Sequence, residues 1–395
     1  MISQHKLLRF TFHALLNTMP TIMIVAGEPS GDLQASRVAT ALKELAPDLA
    51  LFGMGGDLME QAGVELIYHI RDSAVMGIGE VFTAIPAFLK KRKHLKQLIR
   101  TKRPDAVVLV DFGDFNMPLA RFTHRLGIPV IYYIPPKAWA WRPNRAKKIA
   151  KTTTAVASIF PFAADFYREA GANVEFVGHP LLDFARIDLS CAEARRAIGL
   201  NEDHTVVGLM PGSRRREVER LLPVMLEVTD QIHQTVPDCQ FVLPLAPGID
   251  SATLPEMPLI NVVRESVYEA MRASDLMLIA SGTATLEAAC LGTPMIVVYK
   301  MSRLSWHILR KLVKLELSGL PNVIAGREIV PELLQNQVTA ERVAPIALEL
   351  LQNPQKREAQ QAHLRWVYEQ LGEPGAAKRT AQLILSHLKR GELND

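Results

Sequence analysis

"TIMIVAGEPSGDLQASRVATALKEL", residues 21–45, is an apolar, β-branched run that stops at Gly27, a polar turn, and a helical pattern from Leu33 to Leu45. That is strand, turn, helix. The same grammar recurs in "DAVVLVDFGDFN" (105–116) before "MPLARFTHRL", and in "PVIYYIPP" (129–136), "AVASIFPF" (155–162) and "VEFVGHP" (174–180). After a helix with a glycine stop, "SCAEARRAIGL" (190–200), the pattern restarts with "TVVGLMPGS", "QFVLPLA", "LMLIASGT" and "PMIVVYK". Near-continuous apolar strands alternating with helices predict an α/β protein with parallel sheets. Two successive sets predict two Rossmann-like domains, at 21–185 and 186–353. Residues 1–20 read as an N-terminal extension, and the charged helical segment 354–395 is able to cross back to the first domain.

Composition narrows the function. The chain has 395 residues, 48% hydrophobic and 22% charged, with a net charge of only +4. Such a balance is globular and speaks against a dedicated nucleic-acid binder. It suits anionic small molecules or an anionic membrane surface. Cys191, Cys239 and Cys290 lie far apart with no C-x-x-C spacing. No disulfide framework or cysteine zinc site is expected, and a reducing cytoplasm is the default. The N-terminal stretch lacks the apolar core and cleavage site of a signal peptide. With no run of 18 apolar residues, no transmembrane helix is expected.

In open α/β sheets ligands bind beyond the carboxyl ends of the strands, so the loops there carry the candidate sites. "AGEPSGD" (26–32) offers backbone N–H groups and the Ser30 hydroxyl to a polar ligand. The plainer reading is a tight turn with Ser30 or Asp32 as a helix cap. "VDFGDFN" places Asp111 and Asp114 just after a buried strand, where a carboxylate can take a proton from a hydroxyl. "SGTATLE" sets Ser281, Gly282 and Thr283 at a helix start, a seat for a diphosphate, with Glu287 one turn on to accept hydrogen bonds from ribose. A simple capped helix would account for Ser281 or Thr283 but not for the glycine. "LMPGSRRREVE" (209–219) opens beside that seat in the same domain. Its three adjacent arginines lie about 100° apart on a helix, so one reaches a ligand while others stay solvated. Residues 79–100 hold an apolar stripe, Val81, Phe82, Ile85, Phe88 and Leu89, followed by four cations, Lys90 to Lys93. The stripe reads either as a core-facing face or as an interfacial surface for anionic lipid.

Taken together, these motifs resemble the lipid-A-disaccharide synthases, inverting glycosyltransferases of the GT-B fold, in which two Rossmann-like domains face each other across a cleft. The matching stretches are "AGEPSGD", "AVMGIGEV", "PDAVVLVDFGDFN", "AWAWR", "GHPLLD", "LMPGSRRREVE", "ASGTATLE" and "LPNVIAGREIVPELLQ". The resemblance implies transfer of diacylglucosamine from UDP-2,3-diacylglucosamine to 2,3-diacylglucosamine 1-phosphate (lipid X). The product would be the β-1,6-linked disaccharide 1-phosphate, with release of UDP. It implies Asp111 as general base and Arg214, beside Ser213, as stabiliser of the departing UDP. Glu287 and Asn322 fall where the family holds nucleotide and donor, Glu28 and Ser30 line the acceptor-side loop, and Arg327 adds an anion contact. No metal or other cofactor is expected, since helix dipole and arginine take that role. The resemblance favours the membrane reading of the 81–89 stripe and a peripheral place on the cytoplasmic face of the inner membrane. A homodimer is left open. One departure is Gly113, where the family commonly has proline; it is expected to loosen the backbone beside Asp111.

Overall fold

The computed structural model describes residues 19–73, 81–141, 143–302, 306 and 317–388. The chain forms two compact units. The first comprises the described residues up to Ile159, Ala163–Val177 and those from Gly375 on; the second comprises Phe160–Phe162 and Gly178–Pro374.

The first unit holds β1 (Thr21–Ala26), β2 (Ala50–Gly55), β3 (Glu65–His69), β4 (Ala106–Val110), β5 (Val130–Tyr133), β6 (Ala155–Ser158) and β7 (Val174–Phe176). They make one sheet in the order β3-β2-β1-β4-β5-β6-β7, and every pairing is parallel. β1 and β4 lie side by side, with Ala26 opposite Val110. The chain leaves β1 towards one edge and returns at β4 to build the other. Their carboxyl ends therefore flank a topological switch point, where a crevice opens. Both strands are buried along their length, and each fully buried Val or Ile contributes about 1.5–3 kcal/mol relative to exposure.

β2 and β3 are not among the strands predicted from the apolar runs. β2 is glycine-rich, and a Cβ on Gly53 would lie 1.8 Å from the Ile24 carbonyl oxygen. Close approach of the backbones requires glycine there, and glycine hides the apolar strand pattern. The helix after β1 runs Pro29–Leu45, starting before the predicted Leu33 because Pro29 is preset for a first helical position. Ser30 thus lies inside the first turn. Asp32 caps a different helix, Asp57–Gln61: its carboxylate accepts from the backbone N–H of Gly56 (2.7 Å), Leu58 (3.2 Å) and Met59 (3.1 Å). The last helix, Ala376–Ser386, packs on the helix Pro29–Leu45.

The second unit repeats the plan with β8 (Val206–Met210), β9 (Gln240–Pro244), β10 (Ile260–Val263), β11 (Leu276–Ala280), β12 (Met295–Tyr299) and β13 (Glu332–Leu334). Their order is β10-β9-β8-β11-β12-β13, again all parallel. The switch point falls between β8 and β11, where Met210 lies opposite Ile279. The helix Pro354–Gln370 stays with this unit; Gln360, 5% exposed, accepts a hydrogen bond from the Met295 backbone N–H at 2.7 Å.

Replacing Asp32 with alanine strands three backbone N–H groups of the Asp57–Gln61 helix start. The first unit should lose about 1–3 kcal/mol. The measurement is a urea titration followed by far-UV circular dichroism, with the midpoint falling and the slope unchanged.

Candidate active site

Both switch points carry the residues singled out from the sequence. In the first unit, Asp111 follows β4 directly and its backbone is left-handed, with φ of +46° at Asp111 and +47° at Phe112. Two successive non-glycine residues in that region are strained and persist only where the surroundings over-determine them. Here they do. The Asp111 carbonyl accepts from Tyr132 Oη at 2.8 Å and from Asn116 Nδ2 at 3.0 Å, and Asn116 Nδ2 also reaches the Val110 carbonyl at 3.2 Å. Asn116 and Tyr132 are fully buried. The Asp111 N–H donates to the Tyr133 carbonyl. Phe112 lays its ring over Gly27, where a Cβ would come within 2.1 Å of the ring. Gly27 is thus needed for space, and it ties the "AGEPSGD" turn to the Asp111 loop.

The Asp111 carboxyl is largely buried, which pushes its pKa above the ordinary carboxylate value; a hydrogen bond from the Phe112 backbone and the nearby Lys137 charge pull the other way. Asp114, 78% exposed, pairs with Arg145. Glu28 and Ser30 are exposed on the neighbouring turn. Gly113 corrects the expectation of a loosened backbone. It opens the helix Gly113–Arg125, and its φ is not among the left-handed ones. A Cβ there would meet Pro136 Cγ at 2.6 Å. Gly113 makes room for Pro136, and the strain sits on Asp111 and Phe112 instead.

The apolar stripe divides. Phe88 packs its ring against Phe112 (5.9 Å between centroids) and Phe115 (6.1 Å), in line with the buried Leu95 and Ile99 of the same helix, Val81–Lys102. It belongs to the core face and braces the Asp111 loop, which corrects its assignment to a membrane contact. Leu89 is 48% exposed. The side chains of Val81, Phe82 and Ile85 lie outside the described residues, as do 1–18, most of "AVMGIGEV" and Arg142 of "AWAWR".

In the second unit, β8 runs into the Pro211–Arg214 loop. Gly212 has φ +116° and a Cβ there would meet Glu217 Oε2 at 2.5 Å. Glu217 sits at the third position of the helix Arg215–Thr235. It accepts from the N–H groups of Ser213 (3.2 Å) and Arg214 (3.3 Å), and from Arg214 Nη1 at 2.9 Å. Glu217 is a residue that the sequence analysis does not single out; its spacing from Arg214 is the capping-box spacing, which is the signal that finds it. Arg215 pairs with Glu219 at 2.7 Å, so neighbouring arginines do turn to different partners. Tyr299, at the end of β12, is a further group that the sequence reading missed. Its hydroxyl pKa is raised by burial and by the Glu217 charge, and the strand-edge rule alone would have flagged it.

Beside this loop, β11 leads to Ser281–Thr283 and the helix Thr283–Cys290. The Ser281 hydroxyl donates to the Ser318 carbonyl at 3.0 Å. Gly282 has extended backbone (φ 161°) that any residue adopts, and among the described residues a Cβ on it would meet no atom within 4 Å. Neither conformation nor packing asks for glycine, so the residue leaves space open over the helix start. Thr283 is exposed there. Glu287, one turn in, is largely buried, which raises its carboxyl pKa; among the described residues no donor is within hydrogen-bond reach of it. Arg327 is exposed, just after the left-handed Gly326.

Asn322 takes a role other than the expected one. It is fully buried, and its amide is saturated. Nδ2 donates to the Val330 carbonyl (2.9 Å) and to Glu332 Oε2 (3.1 Å), while Oδ1 accepts from the N–H groups of Ile329 (2.8 Å) and Val330 (3.0 Å). No hydrogen-bonding capacity is left for a ligand. Glu332 also accepts from the Ser318 and Gly319 N–H groups, so Asn322 anchors the segment that in turn holds Ser281. Among the described residues no three His, Cys, Asp or Glu side chains are grouped to hold a metal ion.

Two parallel-sheet Rossmann-like units with their candidate residues at the switch points define the GT-B class. Solved structures of that architecture match over most of the chain. MurG of Acinetobacter baumannii matches with a TM-score of 0.59 at 16% identity, over 93% of this chain and 99% of that one. The kitacinnamycin glycotransferase matches at 0.61 and 16% identity, over 93% and 99%. Likeness at such identity shows the fold alone. Sequence is more specific: the profile of the family described as Lipid-A-disaccharide synthetase matches residues 22–386. The lipid-A-disaccharide synthase of Syntrophus aciditrophicus (strain SB) is 41% identical over 377 residues, 94% of this chain and 98% of that one. That of Anaeromyxobacter sp. (strain K) is 44% identical over 375 residues, covering 93% and 97%. The chain belongs to the lipid-A-disaccharide synthase family and is an enzyme of the glycosyltransferase class.

Asn322→Ala should cost the second unit about 1–3 kcal/mol, because the Ile329 and Val330 N–H groups lose their acceptor. Thermal unfolding checks it. Unchanged stability with weakened nucleotide binding would instead make Asn322 a ligand contact.

Proposed function

We propose that the enzyme is an inverting transferase that moves 2,3-diacylglucosamine from its UDP carrier to O6 of 2,3-diacylglucosamine 1-phosphate (lipid X). The products are the β-1,6-linked disaccharide 1-phosphate and UDP. The observation that carries this reading is the Asp111 carboxyl: mostly desolvated, raised in pKa and fixed on a strained backbone by Asn116 and Tyr132. Burial makes such a carboxylate a stronger base than one in water, as proton abstraction from a hydroxyl requires. As the acceptor oxygen attacks the anomeric carbon from the face opposite UDP, its proton passes to Asp111 and the bond from that carbon to the diphosphate breaks, inverting the centre. Negative charge then grows on the departing UDP. Arg214, 79% exposed on its side chain and steadied by Glu217, and the N–H groups at the start of the helix Thr283–Cys290 meet that charge. Glu287 accepts from ribose, Arg327 adds a second positive group, and Glu28, Ser30 and Asp114 line the acceptor side.

Both substrates carry acyl chains, so the enzyme works on the cytoplasmic face of the inner membrane as a peripheral protein. Among the described residues no helix is long and apolar enough to cross a membrane.

The direct test supplies UDP-2,3-diacylglucosamine and lipid X and follows UDP release, with the disaccharide identified by mass spectrometry. Absence of product from folded protein overturns the reading. Asp111→Asn should lower kcat by about 10²–10⁴-fold, the usual worth of a general base. The same variant should melt higher at neutral pH. Because burial raises the Asp111 pKa, the folded state holds that proton more tightly than the unfolded chain does. The associated stability is complete below the unfolded carboxylate pKa and lost as pH rises through the folded value. The melting advantage of Asp111→Asn should therefore shrink as pH falls through that range, whereas wild-type turnover should rise with pH across it.

Gly282→Ala tests the donor seat separately. The methyl enters open space on an extended backbone, so the melting temperature should stay within a degree or so, while KM for the donor rises several-fold. An unchanged KM would remove Gly282 from the seat.

A further inference from the structure

We propose that the first unit carries a phosphate-binding groove, separate from the Asp111 site, formed by Lys96, Arg121, Arg125 and Lys148. The four cations come from three helices: Lys96 from Val81–Lys102, Arg121 and Arg125 from successive turns of Gly113–Arg125, and Lys148 from Asn144–Ala150. They line one open groove together with Phe122 and Thr152. Among the described residues, none of the four is paired with a carboxylate, whereas Arg145, Arg168 and Arg195 in this protein each hold an aspartate.

The crowding has physical consequences. Lys96 Nζ stands 5.5 Å from the Phe122 ring centroid, with the Arg100 guanidinium 5.4 Å from the same centroid. Partial burial and the charges of Arg92 and Arg125 lower the Lys96 pKa. Like charges held together at a low-dielectric wall repel one another, and an anion bound among them relieves that repulsion. Two arginines one turn apart with flanking lysines match a phosphate, which has several acceptor oxygens and up to two charges.

The proposed anion is a second one, besides the acceptor's own phosphate. The groove continues past Met117, Pro118 and Lys148 to the Asp114–Arg145 pair beside the catalytic loop. Along the helix, however, Arg121 lies eight residues beyond Gly113 and Arg125 twelve, about 12 and 18 Å of rise. The two arginines thus line the part of the groove away from the Asp114–Arg145 end. The ligand is a second phosphate, from a phospholipid headgroup or from a free phosphate in solution, and turnover of the groove variants on dispersed substrates separates it from the acceptor's own.

The experiment uses the full chain. Wild type, Arg121→Glu/Arg125→Glu and a control of equal charge change in the other unit, Arg342→Glu/Arg365→Glu, are sedimented with phosphatidylcholine vesicles with and without phosphatidylglycerol. Inorganic phosphate is titrated into each by calorimetry. Selective loss of roughly 30-fold in partitioning to anionic vesicles by the groove variant supports the site with a lipid headgroup as source. Equal vesicle binding, with phosphate binding seen in wild type and control but not in the groove variant, supports it with free phosphate as source. Equal effects of groove and control variants in both arms, or no binding by wild type in either, overturn it. Arg121→Gln/Arg125→Gln should reproduce the loss in a fold-neutral form. Turnover on detergent-dispersed substrates should persist in all variants, so failure here leaves the catalytic reading standing.

Discussion

The constraint on which the rest depends is that a parallel sheet puts all its carboxyl ends on one edge. With the chain starting each unit at the middle of its sheet, the first strand and the one that reopens the other half become neighbours. β1 beside β4, and β8 beside β11, are those pairs. Connections leave each pair in opposite directions, so neither loop covers the other. That brings Asp111 next to the Gly27–Ser30 turn, and the Pro211–Arg214 loop next to Ser281–Thr283, although each pair is far apart in sequence.

The two edges prepare for chemistry in different ways. The first stores strain. Asp111 and Phe112 are left-handed because Tyr132 and Asn116 bind the Asp111 carbonyl, and because the Phe112 ring is wedged between Gly27 and the Phe88–Phe115 pair. A carboxyl desolvated there costs the fold stability at neutral pH, a conflict expected where function overrides folding. The second edge leaves room. Among the described residues no atom lies within 4 Å of where a Gly282 Cβ would stand and no donor reaches the largely buried Glu287, while the rigidity comes from Glu217, Glu332 and Asn322 behind the exposed groups. Around both, the carboxylates that lie deepest serve the scaffold: Asp32 closes a neighbouring helix start and never faces the turn beside it.

Much of this was legible from local pattern. The buried strands announce themselves as apolar runs, and the candidate residues stand where those runs stop. The misreadings have specific causes. β2 is masked by glycines that the backbone of β1 demands. Phe88 and Leu89 look alike in a hydropathy pattern, yet helical geometry sends one into the Phe112 cluster and the other outward. Asn322 has the polarity of a ligand contact, and only its four internal bonds show that its capacity is spent. Gly113 signals backbone freedom by type, whereas its neighbour Pro136 shows that volume is what matters.

The sequence by itself determined the two α/β halves, the family, and the loops that carry the chemistry, because strand period, helix period and turn residues are local properties of the chain. Tertiary structure alone decided which of those loops adjoin, which carboxyls lose their water, and which polar side chains are consumed within the fold. These are matters of distance and burial between residues remote along the chain, and no local pattern encodes them.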